Sequence, residues 1–199
     1  MIGRRSAVAG VLFAFALIVT LITALVLSAL TNVTQMANRL DEERSLQTAR
    51  GALSTFQHQL GATLNDYAAW DDAARFVYAE DGAGWIISNY GDMTVNSELF
   101  DTAVVLDDQE GVLLAYQNGA PAPWSVGSYF GGSISEMINR IRNAGPETTP
   151  EMTGFIRTRD GIAAAGVALV RKKSGELDPS LGKRYLVFVR HLTDDKVDK

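Results

Sequence analysis

The sequence predicts an α+β protein in which an N-terminal transmembrane helix and a long amphipathic helix precede a five-stranded antiparallel sheet with helices on one face. Three observations support this prediction. Residues 7–30 form an apolar run without a charge, and apolar residues then recur every three or four positions to about Trp70. From Phe100 onward, short β-branched runs alternate with turn signals. The predicted division is a stub and transmembrane helix (1–32), a main domain (33–192) and a tail (193–199).

The apolar run 7–30 has the length of a membrane span. It can cross a hydrocarbon core of about 30 Å, whereas a signal peptide has an apolar region of about 7–15 residues that ends at a small-residue cleavage site. The exit of the run, residues 30–34, contains no such site. Arg4 and Arg5 lie just before the run, so the positive-inside tendency places the N-terminus in the cytoplasm and the main domain outside. We therefore expect an uncleaved anchor.

The composition excludes several classes of function. The chain has no cysteine, which removes disulfides, Cys-ligated zinc and thiol nucleophiles. Its formal net charge of −5 does not suggest nucleic acid as a partner. The two histidines, His58 and His191, are far apart in sequence and have no acid cluster beside them, so no metal site is expected. Motifs for nucleophilic catalysis, phosphate binding and dinucleotide binding are absent, and we expect neither an enzyme nor a cofactor.

A long helix is predicted from Val33 to about Trp70, roughly 50 Å in length at 1.5 Å per residue. Its apolar positions lie three or four apart and share one face: Leu46, Ala49, Leu53, Phe56, Leu60, Leu64 and Tyr67. This face has two interpretations, which can both hold along different parts of the helix. It covers the core of its own domain, or it pairs with a second copy in a dimeric signalling stalk.

Two shorter helices are predicted in the main domain. The turn 81–84 precedes a short helix over 85–92 that is ended by Gly91. A second helix is predicted over 134–143, with Ser133 or Ser135 as its N-cap and Gly145-Pro146 as its stop.

Five strands are predicted to form the sheet. They divide into a hairpin around the turn 107–111 and a later three-strand meander whose first two strands flank the tight turn Asp160-Gly161. Residues 119–123 and 172–183 are predicted as loops. The strands are 103–106, 112–116, 154–158, 162–170 and 184–190.

The candidate recognition site is the segment Asn65–Val77, which follows the long helix. On a continuous helix, Asp71 would share a face with Leu64 and Tyr67, in partly apolar surroundings. A carboxylate there needs a partner. The partner is Arg75 four residues on, backbone N–H groups if a helix restarts here, or a cationic or amine-bearing ligand held by the rings of Tyr67 and Trp70.

Two further residues complete the candidate ligand-binding set. Asp72 adds a second carboxylate beside Asp71, and Asn89 lies in the predicted short helix, where its side chain can tie that helix back to the segment. The predicted ligand-binding residues are therefore Tyr67, Trp70, Asp71, Asp72 and Asn89.

Several of these residues form a pattern that resembles the CHASE4 domain. The pattern is Asp66-Tyr67-x-x-Trp70-Asp71-Asp72, followed by Phe76, by Ser88-Asn89 and by a hydrophobic strand-turn-strand over 102–116. The likeness covers about residues 32–192. It implies a PAS-like or Cache-like extracytoplasmic domain of a bacterial membrane receptor that senses a ligand or a stress, and the family does not identify the ligand. From the helix face we separately expect a homodimer, and we expect the ligand to be a small molecule.

The resemblance also implies a cytoplasmic output domain, either a histidine kinase or a diguanylate cyclase or phosphodiesterase of cyclic-di-GMP signalling. Residues 193–199 are polar and contain no second span. We therefore expect the sequence to be the N-terminal part of a longer receptor in the inner membrane, with the tail leading to a second transmembrane helix. The alternative function is a ligand-free dimerisation module that sets receptor geometry.

Overall fold

A computed structural model describes residues 2–144, 151–177 and 182–192. The chain divides into two units, residues 1–52 and 53–199. The predicted stop at Gly145-Pro146, part of the loop 172–183 and the tail 193–199 lie outside the described residues.

The first unit consists of helix α1, which runs from Ile2 to Ala68 and continues into the second unit. Among the described residues, this is the one helix long and apolar enough to cross a membrane. Its described side chains from Leu17 to Leu30 are exposed, as the apolar surface of a membrane span is in the absence of lipid. By length and composition, α1 supports the predicted transmembrane segment.

The second unit begins with the last turns of α1. Leu60, Leu64 and Ala68 are fully buried, because their four-residue spacing places them on one face of the helix against the sheet. The prediction that the apolar face covers the domain core is confirmed for this part of the helix. Leu46 and Leu53, farther back on the same predicted face, are exposed.

α1 ends at Ala68, two residues before the predicted end. Trp70 is extended, with φ −129° and ψ 134°, and a new helix α2 runs from Asp71 to Phe76. The break is fixed by a distant segment: Ala69 forms a parallel bridge with Arg171, whose N–H donates to the carbonyl of Ala68 at 2.9 Å. The restart of a helix at this point, which the sequence left open, is therefore observed.

The predicted short helix is present but composite. Helix α3 spans Ala83–Ile86 and continues as a π-helical turn over Ile87–Gly91 and a 3₁₀ turn over Asp92–Val95. Single π-helical turns are rare and occur frequently at functional sites.

The sheet is antiparallel and has six strands in the order β3-β2-β1-β6-β5-β4. All five predicted strands are present, but the count of five is wrong because residues 120–121 of the predicted loop form a sixth, two-residue strand. The strands are β1 Thr102–Leu106, β2 Val112–Gln117, β3 Ala120–Pro121, β4 Glu151–Thr158, β5 Gly161–Leu169 and β6 Tyr185–His191.

Helices cover both faces of the sheet, so the prediction of one covered face is wrong. In β1, Ala103 and Val105 pack in one cluster with α1, α2 and α3, whereas Val104 and Leu106 pack in a second cluster on the opposite side. That second side is covered by α4 (Val126–Phe130) and α5 (Ser133–Asn143). Every residue of β1 is buried, and strands apolar on both faces must be covered on both. The domain therefore has three layers.

Local turn chemistry agrees with the sequence in the β1–β2 hairpin but not at α5. In the hairpin, the Asp107 carboxylate accepts the N–H groups of Gln109 and Gly111 at 2.9 and 2.7 Å. At α5, neither Ser133 nor Ser135 is the N-cap, because Gly132 holds that position with a positive φ of 87° and no side-chain cap.

Candidate functional site

Aromatic rings surround the end of α1. The half-buried ring of Tyr67 lies 5.5 Å from that of Phe188 on β6 and 6.2 Å from that of Tyr90 in the π-helical turn. Trp85 of α3 continues the cluster, since its ring lies 5.3 Å from Trp70 and 5.5 Å from Tyr90. These tilted and edge-on contacts attach α3 and the π-helical turn to the end of α1.

The carbonyl groups in the last turn of α1 have partners outside the helix, with one exception. Ala69 N–H donates to Asn65 at 2.7 Å, Tyr90 hydroxyl donates to Tyr67 at 3.1 Å, and Arg171 N–H donates to Ala68. Burial of Tyr90 raises the pKa of its hydroxyl, which stays protonated as a donor. Within the described part of the chain, no donor reaches the carbonyl oxygen of Asp66.

A cavity of about 280 Å³ lies at this junction. Its lining comprises Asp66, Tyr67, Trp70, Asn89 and Met93. Three of the five predicted ligand-binding residues, Tyr67, Trp70 and Asn89, therefore line one cavity although Asn89 is distant from the others in sequence. The π-helical turn carries Asn89 and the adjacent 3₁₀ turn carries Met93, while the other residues come from the end of α1 and the break after it.

Asp71 and Asp72 do not line this cavity. Both side chains are exposed, so the prediction that Asp71 lies in apolar surroundings is wrong; the break at Ala69 removes it from the face of Leu64 and Tyr67. The Asp71 carboxylate accepts the backbone N–H of Lys173 at 2.9 Å and so holds the loop after β5. Of the alternatives, a backbone N–H partner is observed, although not as a helix cap.

Asn89 is held within its own helix rather than tied to the segment 65–77. Its Nδ2 donates to the carbonyl of Trp85 at 2.9 Å. The tie to α1 is made instead by the neighbouring Tyr90, which the sequence reasoning did not select. With Nδ2 engaged, Oδ1 of Asn89 accepts no hydrogen bond from the described residues.

Two lining residues were missed as site residues. Asp66 is part of the motif that resembles the CHASE4 domain, but the adjacent pair Asp71-Asp72 was predicted as the ligand-binding carboxylates instead. Met93 follows Asn89 by four residues, and that helical spacing is the one signal that could have found it. Its side chain is 38% exposed although it is apolar.

A second cavity, of about 310 Å³, lies between α5 and the edge strand β4. Nothing in the sequence predicted it. Its lining is made of Ser133, Glu136, Met137, Arg140, Met152, Gly154, Phe155, Ile156 and Arg157. Glu136 and Arg140 are paired with each other on α5, so the charges of this cavity are partly neutralised internally.

His191 belongs to a buried hydrogen-bond network. Its Nδ1 lies 2.7 Å from Asp101, and its Nε2 lies 2.8 Å from the hydroxyl of Tyr129, which also donates to Asp160. Burial raises the pKa of the Asp101 carboxyl, but the hydrogen bonds and charge of His191 lower it by more. The net result is a pKa of about 2. The described residues contain no group of three or more His, Cys, Asp or Glu side chains able to hold a metal.

Comparison with protein families agrees with the resemblance. The family model described as the CHASE4 domain matches residues 52–199, which is most of the chain and includes every residue of the cavity at the end of α1. No curated protein matches the chain. CHASE4 domains are extracytoplasmic sensor domains of signalling receptors and are not catalytic modules.

Proposed function

The chain belongs to the CHASE4 domain family, and from that premise we propose that it senses a small ligand in the cavity at the end of α1. The receptor relays the bound state through α1 to a cytoplasmic output domain, a histidine kinase or a diguanylate cyclase or phosphodiesterase of cyclic-di-GMP signalling. The observation that carries this proposal is the composition of the cavity wall. Asp66 and Tyr67 belong to the last turn of α1 itself, so a ligand there contacts the helix directly.

One hydrogen bond and one ring contact couple the remaining wall of the cavity to α1 and to the break after it. Tyr90 adjoins Asn89 and donates to the carbonyl of Tyr67, while Trp85 packs on Trp70. A ligand that shifts the π-helical turn therefore changes the contacts that fix the end of α1. A small tilt, rotation or piston shift of a helix is an established way to transmit such a change.

The proposed setting is the bacterial inner membrane, with residues 7–30 as the span, Arg4 and Arg5 in the cytoplasm and the domain 33–192 in the periplasm. Support comes from the extracytoplasmic character of the family and from the length of α1.

We also propose that the fold is PAS-like or Cache-like. In its favour, one antiparallel sheet places the first and last long strands side by side and has a helical insertion between β3 and β4.

A ligand-free dimerisation module is the second candidate function. The observation in its favour is the exposed apolar surface of α1 outside the domain core: Met36, Leu40, Leu46 and Leu53 all remain open. Met36 and Leu40 are four residues apart and Leu46 and Leu53 seven, as in a two-helix coiled coil, although the charged residues 41–44 interrupt the pattern between them. Sedimentation equilibrium of the full chain in detergent tests this candidate, which predicts dimers whether or not any ligand is present.

Thermal-shift screening of the full chain in detergent against a metabolite library tests ligand sensing. Binding raises the free energy of unfolding by RT ln(1 + [L]/Kd), about 2.7 kcal/mol at a hundredfold excess over Kd. Trp70→Ala, in the cavity at the end of α1, is expected to abolish the shift. Phe155→Ala, a similarly exposed aromatic in the second cavity, is the matched control and leaves the shift intact. A shift lost only in Phe155→Ala would move the site away from α1.

A further inference from the structure

We propose that the cavity at the end of α1 takes a small organic cation of the alkylammonium class, with Asp66 as its counter-ion. This inference rests on the proposed function and specifies the ligand chemistry of the same cavity. It replaces Asp71, the carboxylate that the sequence favoured, because Asp71 holds the loop after β5 instead.

Asp66 is an exposed carboxylate without a positively charged partner among the described residues. Within the described ranges its carboxylate forms no ion pair and accepts no hydrogen bond. Its own carbonyl oxygen is the one in the last turn of α1 without a donor. A helix C-terminus is the negative end of the helix dipole, so an acid in the last turn is electrostatically unfavourable there. A cation bound beside Asp66 offsets the negative charge at this end of the helix.

The aromatic walls supply surfaces that bind cations. Tyr67 is held by edge-on contacts to Phe100 and Phe188, and Trp70 is 39% exposed where it lines the cavity. A cation over the face of such rings is attracted by the ring quadrupole, most strongly for Trp. Because Tyr67 is already fixed by its neighbours, little side-chain freedom is lost when a ligand binds against it.

The two remaining lining residues, Asn89 and Met93, also present electron-rich atoms, which suit a cation. Asn89 is left with Oδ1 as a free acceptor, and Met93 contributes a polarisable thioether. No Lys, Arg or His is among the lining residues of the cavity. A carboxylate or phosphate ligand would be repelled by Asp66, and no lining residue would compensate its charge. An ammonium group with a short polar arm would instead contact the Asp66 carboxylate, the rings of Tyr67 and Trp70, and Oδ1 of Asn89.

Isothermal titration of the full chain in detergent with choline tests the charge requirement. Its uncharged carbon analogue 3,3-dimethyl-1-butanol has the same shape, and it is expected to bind at least tenfold more weakly. Asp66→Asn is expected to weaken choline binding five- to tenfold and to leave the analogue unaffected. Asp72→Asn, an exposed acid outside the cavity, is the matched control and does not change the affinity for choline.

The outcomes distinguish an error in the proposed ligand class from an error in the proposed binding site. Equal affinity for choline and the analogue, or for wild type and Asp66→Asn, overturns the cation proposal while the cavity remains a binding site. Failure of choline, tetramethylammonium and ethanolamine to bind at 10 mM overturns it as well. If a neutral or anionic library compound then binds and Trp70→Ala abolishes its binding, the proposed sensing function stands without the cation.

Discussion

At the scale of single residues, Asp101 is a buried polar group that links two strands of the sheet. It precedes β1 and is almost fully buried, and its carboxylate accepts hydrogen bonds from the side chain and the backbone N–H of His191 at the end of β6. The Thr102 hydroxyl is a third donor. These bonds join β1 and β6, which are the first and last strands along the chain and lie side by side in the middle of the sheet.

Asp101→Asn is expected to lower the free energy of unfolding by about 2–4 kcal/mol at pH 7. The substitution turns one acceptor oxygen into an NH₂ group that faces a donor, and leaving a buried donor without its charged acceptor costs a few kcal/mol. Urea titration followed by Trp fluorescence measures the loss. Glu98→Gln, an exposed acid, is the control and is expected to change stability by less than about 0.5 kcal/mol. Equal stabilities of the two variants would contradict the role of Asp101.

The same carboxyl predicts acid sensitivity. Its pKa is lowered from 3.8 to about 2 in the folded protein, so its contribution is fully present above pH 4 and is lost as pH falls through 2. That contribution is about 2 kcal/mol at 1.36 kcal/mol per pKa unit. The wild type should therefore lose more stability between pH 4 and pH 2 than Asp101→Asn does. Parallel stability curves for the two proteins over this range would count against the prediction.

At the scale of elements, the joint between α2 and α3 requires a glycine. Gly82 is the N-cap of α3, with ordinary helical dihedral angles, yet a Cβ there would lie 1.8 Å from the carbonyl oxygen of Phe76. Backbone cannot move aside as a flexible side chain can. Gly84, two residues later in the same helix, has open space around its Cβ position.

Gly82→Ala is therefore expected to destabilise the domain by about 1–3 kcal/mol, in the range of overpacked sites. Gly84→Ala is the matched control and should be neutral or stabilising by up to about 1 kcal/mol, because alanine favours helix over glycine. Thermal melts of the two variants make the comparison. A melt of Gly82→Ala at or above that of Gly84→Ala would show that α2 and α3 do not meet as described.

The sequence predicts those elements whose causes are local. The β1–β2 hairpin is correct because Asp107 makes its own turn, and the strand segments carry β-branched runs. The position of the break after α1 is not predicted, because Arg171, about a hundred residues away, fixes it. The second covered face could have been inferred, since Gly161–Leu169 has no polar residue and a strand apolar on both sides needs two layers.

In the candidate site, too, residues recognisable from local sequence were predicted, and residues placed by distant contacts were not. Tyr67 and Trp70 were found because their aromatic character is visible in the sequence, and Asn89 was found through the family pattern. Asp66 and Met93 required the structure. Whether a carboxylate near a helix end lines a cavity or holds a loop depends on where the chain turns, and that turn is set by tertiary contacts.

At the scale of the whole molecule, one helix, α1, contains a segment able to span a membrane and ends in the sensor domain. The charge distribution agrees with this arrangement, since Arg4 and Arg5 are the only charges before the apolar run ends. Deleting residues 7–30 is expected to move the protein from the carbonate-resistant membrane fraction to the soluble fraction. Arg4→Ala/Arg5→Ala should stay in the membrane, because these residues bias orientation rather than insertion. Retention of the deletion variant in the membrane would place the anchor elsewhere.

The central claim is that the ligand binds where α1 ends. Hydrogen–deuterium exchange of the full chain, with and without a ligand obtained by the thermal-shift screen, tests this most directly. The account predicts slower exchange in two segments, residues 65–71 and 85–95, which carry the cavity walls. Slower exchange confined to residues 133–140 and 152–157, around the second cavity, would contradict it.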